Sequence, residues 1–147
     1  MMEAIIKCAG PEDVTRLELF LQKANLSTEG IQESIEYFLI MENNMSDLKA
    51  TIGIEPIGKI GLLRSLAITK DASEKELILL FEQILKLARD KQLETLYLAS
   101  NKKNSIEFFQ LLGFVQETSD LPAALYESEH VKYILTVDNS YFLKLSI

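Results

Sequence analysis

The chain lacks several features that would each point to a function. It has one cysteine, Cys8, and one histidine, His130. One of each makes no four-ligand zinc site, and there is no second cysteine for a disulfide framework. A reducing compartment, the cytoplasm, is the expectation that follows. Basic residues are the minority, 15 against 22 acidic, for a net charge of −7. Nucleic acids and anionic membrane surfaces both ask for concentrated positive charge, so no nucleic-acid or membrane partner is expected. No run of 18 apolar residues occurs, and the N-terminus lacks the basic-then-apolar order of a signal peptide. The last absence is local. From Leu62 to Leu112 there is no glycine at all.

The chain does have the makings of a folded domain. Its 147 residues suit one domain, 1–147, and 48% hydrophobic with 25% charged residues is the balance of a packed protein. Ala4–Cys8 reads as a first strand with Cys8 filling the core. Gly10-Pro11-Glu12-Asp13 opens a helix, with proline at the first helical position and acidic residues at the positive end of the dipole. Val14, Leu17, Leu21 and Ala24 supply its apolar face. A second, shorter helix is expected next, with Ile31, Ile35 and Phe38 inward. A meander follows: Tyr37–Met41, Leu48–Glu55 and Ile60–Thr69, with Pro56-Ile57-Gly58-Lys59 as a tight turn.

Ser73-Glu74-Lys75-Glu76 is a capping box, in which Ser73 and Glu76 each bond the other's backbone N–H. Its helix runs to about Lys91, and Leu77–Phe81 is apolar nearly all round, which predicts cover on more than one face. Thr95–Ser100 reads as a strand, Asn104–Leu112 as a helix stopped by Gly113, and Phe114–Gln116 as the start of another strand. A helical turn over Pro122–Tyr126 and a strand over Tyr141–Ile147 complete the order β-α-α-β-β-β-α-β-α-β-β. That order predicts one α/β (α+β) domain on a mixed, mostly antiparallel sheet flanked by helices.

This order resembles the GNAT superfamily of N-acetyltransferases along nearly the whole chain. Two stretches carry most of the likeness: the strand end Leu66-Ala67-Ile68 with the helix after it, and Phe108-Phe109-Gln110-Leu111-Leu112-Gly113-Phe114. Asn25–Gly30, Gly53–Pro56, Leu62–Ile68 and Leu121–Leu125 resemble the arsenic-resistance-associated acetyltransferase branch. The resemblance implies acetyl transfer from acetyl-CoA to a small amine. It places the backbone N–H partner of the developing oxyanion at Ala67–Ile68, and the cofactor against Leu66, Ala67, Ile68, Ser73, Glu74, Lys75, Glu76 and Leu77, with Lys102 and Lys103 as further phosphate contacts. The acceptor would border Thr28, Glu29 and Arg64.

The chain departs from the family pattern at two places. The family cradles the pyrophosphate with a basic residue or glutamine, two residues, glycine, one residue, then glycine or alanine. Counting back from Ala88-Arg89 puts those positions at Ala72, Lys75 and Leu77, none of which matches. Glu74 and Glu76 add negative charge where a helix N-terminus would favour an anion by roughly 0.3–1 kcal/mol. Ser73–Glu76 therefore reads first as an N-cap and only second as a phosphate loop. Phe109 stands where many members have a tyrosine as general acid, which leaves Tyr126 or Tyr133 as substitutes.

For the general base, Glu55 comes first, in an apolar run beside Pro56 where burial raises a carboxyl pKa, and Glu29 second. Arg64 interrupts an apolar strand and needs a carboxylate partner, Glu55 being one choice, or a ligand. Two functions remain open: an acetyltransferase, or a GNAT-fold binding module without acetyl-CoA, dimeric through its apolar helix surface.

Overall fold

A computed structural model describes residues 4–118, 120–135 and 141–147; the side chains of His130 and Tyr133 lie outside the described residues. Among the described residues seven strands form one mixed sheet: β1 (Ile5–Cys8), β2 (Phe38–Glu42), β3 (Leu48–Ile57), β4 (Ile60–Ile68), β5 (Thr95–Ser100), β6 (Val115–Gln116) and β7 (Tyr141–Ser146), in the order β1-β2-β3-β4-β5-β7-β6. β4 and β5 are parallel, whereas β1–β2, β2–β3, β5–β7 and β6–β7 are antiparallel. The helices are α1 (Val14–Lys23), α2 (Glu74–Asp90), α3 (Lys103–Leu111) and α4 (Glu129–Leu135). This is the mixed α/β arrangement expected from the sequence.

Two compact units divide the chain, Met1–Glu55 with Leu63–Lys91, and Pro56–Leu62 with Gln92–Ile147. In the first, Leu17 and Leu21 of α1 join Ile31, Phe38, Ile40 and Ala67 in a buried cluster. β2 is buried at every position, as a strand paired on both edges and covered by a helix must be. In the second, Leu62, Tyr97, Leu125, Val131 and Phe142 form the cluster.

Three local expectations need correction. Cys8 is exposed on β1 rather than buried, because β1 pairs with β2 alone. Among the described residues no α-helix lies between α1 and β2. Residues 29–34 turn through Gly30 (φ +76°), and only a 3-10 turn, Ile35–Tyr37, precedes β2. Phe38 is claimed by the sheet, where it pairs with Gly53. The β3–β4 turn is tighter than expected, since β3 runs through Pro56-Ile57 and the chain reverses at Gly58 (φ +63°) and Lys59. At the start of α2, Leu80 and Phe81 are buried and Leu77 and Ile78 half-buried, which is cover on more than one face, while Leu79 is 41% exposed. The sequence also gave no warning of α4.

Candidate functional site

The first unit carries the strand and helix on which the expected cofactor residues lie. β4 is not a regular strand. Ser65 has φ +59°, a left-handed conformation that costs a non-glycine residue energy and kinks the strand. Leu66, half-buried, Ala67, buried, and Ile68, 47% exposed, follow the kink. The parallel pairing of β4 with β5 covers Ile60–Leu62 only, opposite Thr95–Tyr97.

Beyond β4 the chain turns through Thr69–Ala72 into α2. Ser73 is the N-cap, and the capping box read from the sequence is formed. Ser73 Oγ accepts from the Glu76 N–H at 3.1 Å, and Glu76 Oε1 accepts from the Ser73 N–H at 2.9 Å. Lys75 and Leu77 are thus inside the first helical turn, not in a loop before it. The group that occupies this turn is Glu76.

Lys49 holds Glu76 from the other side, with its ammonium 2.9 Å from the carboxylate. Lys49 sits at a β-bulge: Met41 pairs with Ala50 and Glu42 with Leu48, so Lys49 is the extra residue. The Lys49 carbonyl accepts from the Thr69 N–H at 2.9 Å, and its ammonium lies 4.0 Å from Asp71, whose carboxylate accepts from the Thr69 hydroxyl. One residue therefore fixes the β4–α2 connection by both its backbone and its side chain. The Ser73 N–H, and next Lys49, hold the Glu76 carboxyl below its ordinary range. The sequence signal for the capping box was plain; nothing in it pointed to Lys49.

Whether this turn suits the diphosphate of acetyl-CoA depends on its donors. The N–H groups of Glu74 and Lys75 have no acceptor among the described residues, as expected at a helix start. Both side chains are exposed. That donor set fits an anion. The Glu76 carboxylate is the group beside it that opposes one.

A second group lies along the 27–30 segment. Arg64 donates to the Glu29 carbonyl at 2.8 Å, the Ser27 carbonyl at 3.4 Å and Ser65 Oγ at 3.0 Å. Its guanidinium carbon lies 5.8 Å from the Phe38 ring centroid. Burial pulls the Arg64 pKa down, and the charges of Glu55 and Glu29 oppose that pull only in part. Arg64 thus ties Ser27–Glu29 to β4 through carbonyls, with the two carboxylates acting as its electrostatic environment. Thr28 is half-buried, the Glu29 side chain is exposed and Glu55 is half-buried in β3.

A third network secures α1 to β2. Arg16 bonds Asp13 at 2.7 Å, Glu42, and the Ser46 carbonyl at 2.9 Å, while Lys7 lies 3.5 Å from Glu42. Burial pushes the Asp13 carboxyl up, but the Gly10 N–H and Arg16 outweigh it and leave the pKa lowered.

The remaining expected residues belong to the second unit. Lys102 is the N-cap of α3, its N–H donating to Ser100 Oγ at 3.2 Å, and Lys103 is the first residue of that helix; both are exposed. Tyr126 lies in the 3-10 turn Ala123–Glu127 and is 42% exposed. Phe109 is buried, edge-on to Phe108 and Phe114, which makes it a packing residue. Among the described residues no group of three or more His, Cys, Asp or Glu is placed to hold a metal ion, and no helix is long and apolar enough to cross a membrane.

No family model matches the chain. The uncharacterized protein YwlB of Bacillus subtilis (strain 168) is 32% identical over 126 residues, 85% of each chain. Among solved structures, N-acetylglutamate synthase from Neisseria gonorrhoeae, complexed with coenzyme A and N-acetyl-glutamate, superposes on 98% of this chain with a TM-score of 0.78 at 20% identity. This chain spans about a third of that synthase, 35% of its length. Rv2747 from Mycobacterium tuberculosis, in complex with CoA, matches at TM-score 0.77 and 16% identity, over 97% of this chain and 99% of its own. The PaiA N-acetyltransferase of Thermoplasma acidophilum, in complex with coenzyme A, matches at TM-score 0.69 and 17% identity, over 99% of this chain and 100% of its own. At these identities the likeness establishes the fold; the chemistry has to be argued from the residues.

Proposed function

The chain belongs to the GNAT superfamily, in one family with YwlB of Bacillus subtilis, and from that premise we propose that residues 1–147 act as one N-acetyltransferase domain using acetyl-CoA and a small amine. The observation that carries the proposal is the kinked β4 at Ser65 leading into a helix whose first-turn N–H groups, Glu74 and Lys75, are open to an anion. Coenzyme A in the solved neighbours supports the same reading.

The amine nitrogen attacks the thioester carbonyl carbon, a C–N bond forms, and the C–S bond breaks with its electron pair going to sulfur. The backbone N–H at Ala67–Ile68 receives the charge that develops on the carbonyl oxygen, where a fixed donor is worth most. Glu55, half-buried and within the electrostatic field of Arg64, takes the proton that the new ammonium must lose. Glu29 is the second candidate base, on the segment that Arg64 pins. Thr28, Glu29 and Arg64 border the acceptor, and the net charge of −7 attracts a cationic amine rather than repelling it. The cytoplasm is the compartment this reading expects.

Calorimetric titration with acetyl-CoA, with thiol release followed across a panel of small amines, tests the proposal. Saturable binding with amine-dependent thiol release is expected. No binding at about 1 mM, roughly −4 kcal/mol or weaker, would overturn it.

One observation favours a second reading. Glu76 and Lys49 fill the first turn of α2 with an internal ion pair, as would a fold kept for binding after acetyl-CoA was given up. Its surface would be the exposed Ile68 and Leu79, joining two copies into a homodimer. Sedimentation equilibrium distinguishes it: a strict monomer counts against this reading.

A further inference from the structure

We propose that the Glu76 carboxylate is a built-in competitor for the diphosphate of acetyl-CoA, and that Lys49 is the cation exchanged between the two. The inference rests on the acetyl-CoA reading and names what governs binding at that place.

The geometry is that of an anion already bound. Glu76 Oε1 takes the Ser73 N–H at 2.9 Å, and the Lys49 ammonium lies 2.9 Å from the same carboxylate. A diphosphate docking on the neighbouring Glu74 and Lys75 N–H groups would seek the same positive end of the helix and the same ammonium. Two anions cannot share this turn without mutual repulsion, so the ligand must draw Lys49 away from Glu76 or bind without it. Lys49 is well placed for that exchange. Its backbone is fixed by the bulge and the Thr69 N–H, while its side chain, 14% exposed, reaches the helix start. Asp71, at 4.0 Å, is a weaker alternative partner.

The exchange predicts a direction that a plain N-cap does not. Glu76→Gln keeps an oxygen for the Ser73 N–H and removes the charge, so affinity for CoA and for inorganic pyrophosphate rises about tenfold. Lys49→Met alone weakens both. In the Lys49→Met background the gain from Glu76→Gln shrinks, because the freed ammonium is no longer there to pair with the ligand.

Titration of the four proteins with CoA and with pyrophosphate reads this cycle. Tighter binding by Glu76→Gln, with the gain lost in the double variant, supports the inference. Binding by wild type that Glu76→Gln leaves unchanged or weakens overturns it while the acetyltransferase reading stands. A gain that persists in full without Lys49 overturns it too. Binding by Glu76→Gln but not by wild type supports the inference and sinks the acetyltransferase reading for the natural chain. No binding by either overturns both. Should Glu76→Gln fail to fold, the Glu76 carboxyl-carbon and Lys49 ammonium resonances of wild type during a pyrophosphate titration give the answer: both must shift as the ammonium leaves the carboxylate, and unmoved resonances at saturation overturn the exchange.

Discussion

The Lys49 ammonium lies 2.9 Å from the Glu76 carboxylate across 27 residues of sequence, and joins the start of β3 to the start of α2. The pairing has a pH signature. Glu76 is held below its ordinary pKa of 4.5 by the Ser73 N–H first and Lys49 second. A depressed carboxylate contributes stability above its unfolded pKa and loses it as pH falls through the folded value. Wild type should therefore lose about 0.5–1 kcal/mol relative to Glu76→Gln between about pH 5 and about pH 3. Urea unfolding of both proteins at each pH checks this, and parallel losses would refute it.

Arg16 neutralises two carboxylates that are both nearly buried, Asp13 at 4% exposure and Glu42 at 8%. Arg16→Ala leaves them with the half-exposed Lys7 as their remaining cation, 3.5 Å from Glu42. The expected cost is about 3 kcal/mol at neutral pH. It should shrink on acidification, as Asp13 takes up a proton that wild type resists. A penalty that stays constant down to acid pH would mean that Arg16 acts by packing alone.

Gly53 is a glycine for lack of room. A Cβ there would lie 2.3 Å from the Phe38 ring. Gly53→Ala should cost about 1–3 kcal/mol by overpacking, and Phe38→Leu should relieve most of that cost. Additive losses in the double variant would show that the ring is not the obstacle.

Ser65 holds a left-handed conformation inside β4. Ser65→Gly should be tolerated, whereas Ser65→Val should fall about 1–2 kcal/mol below it. If the proposed function holds, the valine variant also loses acetyl-CoA binding, because the kink leads into the Ala67–Ile68 backbone. Equal stability of the two variants, read by thermal unfolding, would contradict the strain argument.

Much of this fold was legible because local and global signals agree. Ser73–Glu76 announced the start of α2, and Gly113 the end of α3. Cys8 was misplaced because apolar periodicity cannot tell an edge strand from a central one. Ile31–Phe38 was misread as a helix because Ile31, Ile35 and Phe38 recur at helical spacing, while Gly30 turns the chain and the pairing of Phe38 with Gly53 draws it into the sheet. At the candidate site, the sequence put the obstruction on Lys75 and Leu77 by counting along a pattern. Glu76, read from the sequence as added negative charge, is joined there by Lys49, a residue whose place depends on a bulge that leaves no mark in composition.

That bulge also sorts the charges of the first unit. Met41 faces Ala50, so an unbroken ladder would have set Lys49 directly opposite Glu42, a ready cross-strand pair. One extra residue withdraws Lys49 from that seat and gives it to Leu48. Glu42 is left to Lys7 and Arg16, and Lys49 is released to α2. Two separate circuits of charge, one anchoring α1 and one governing the start of α2, exist where a regular strand would have shorted them together. Deleting a single residue at this point would rewire both without altering any of the carboxylates involved.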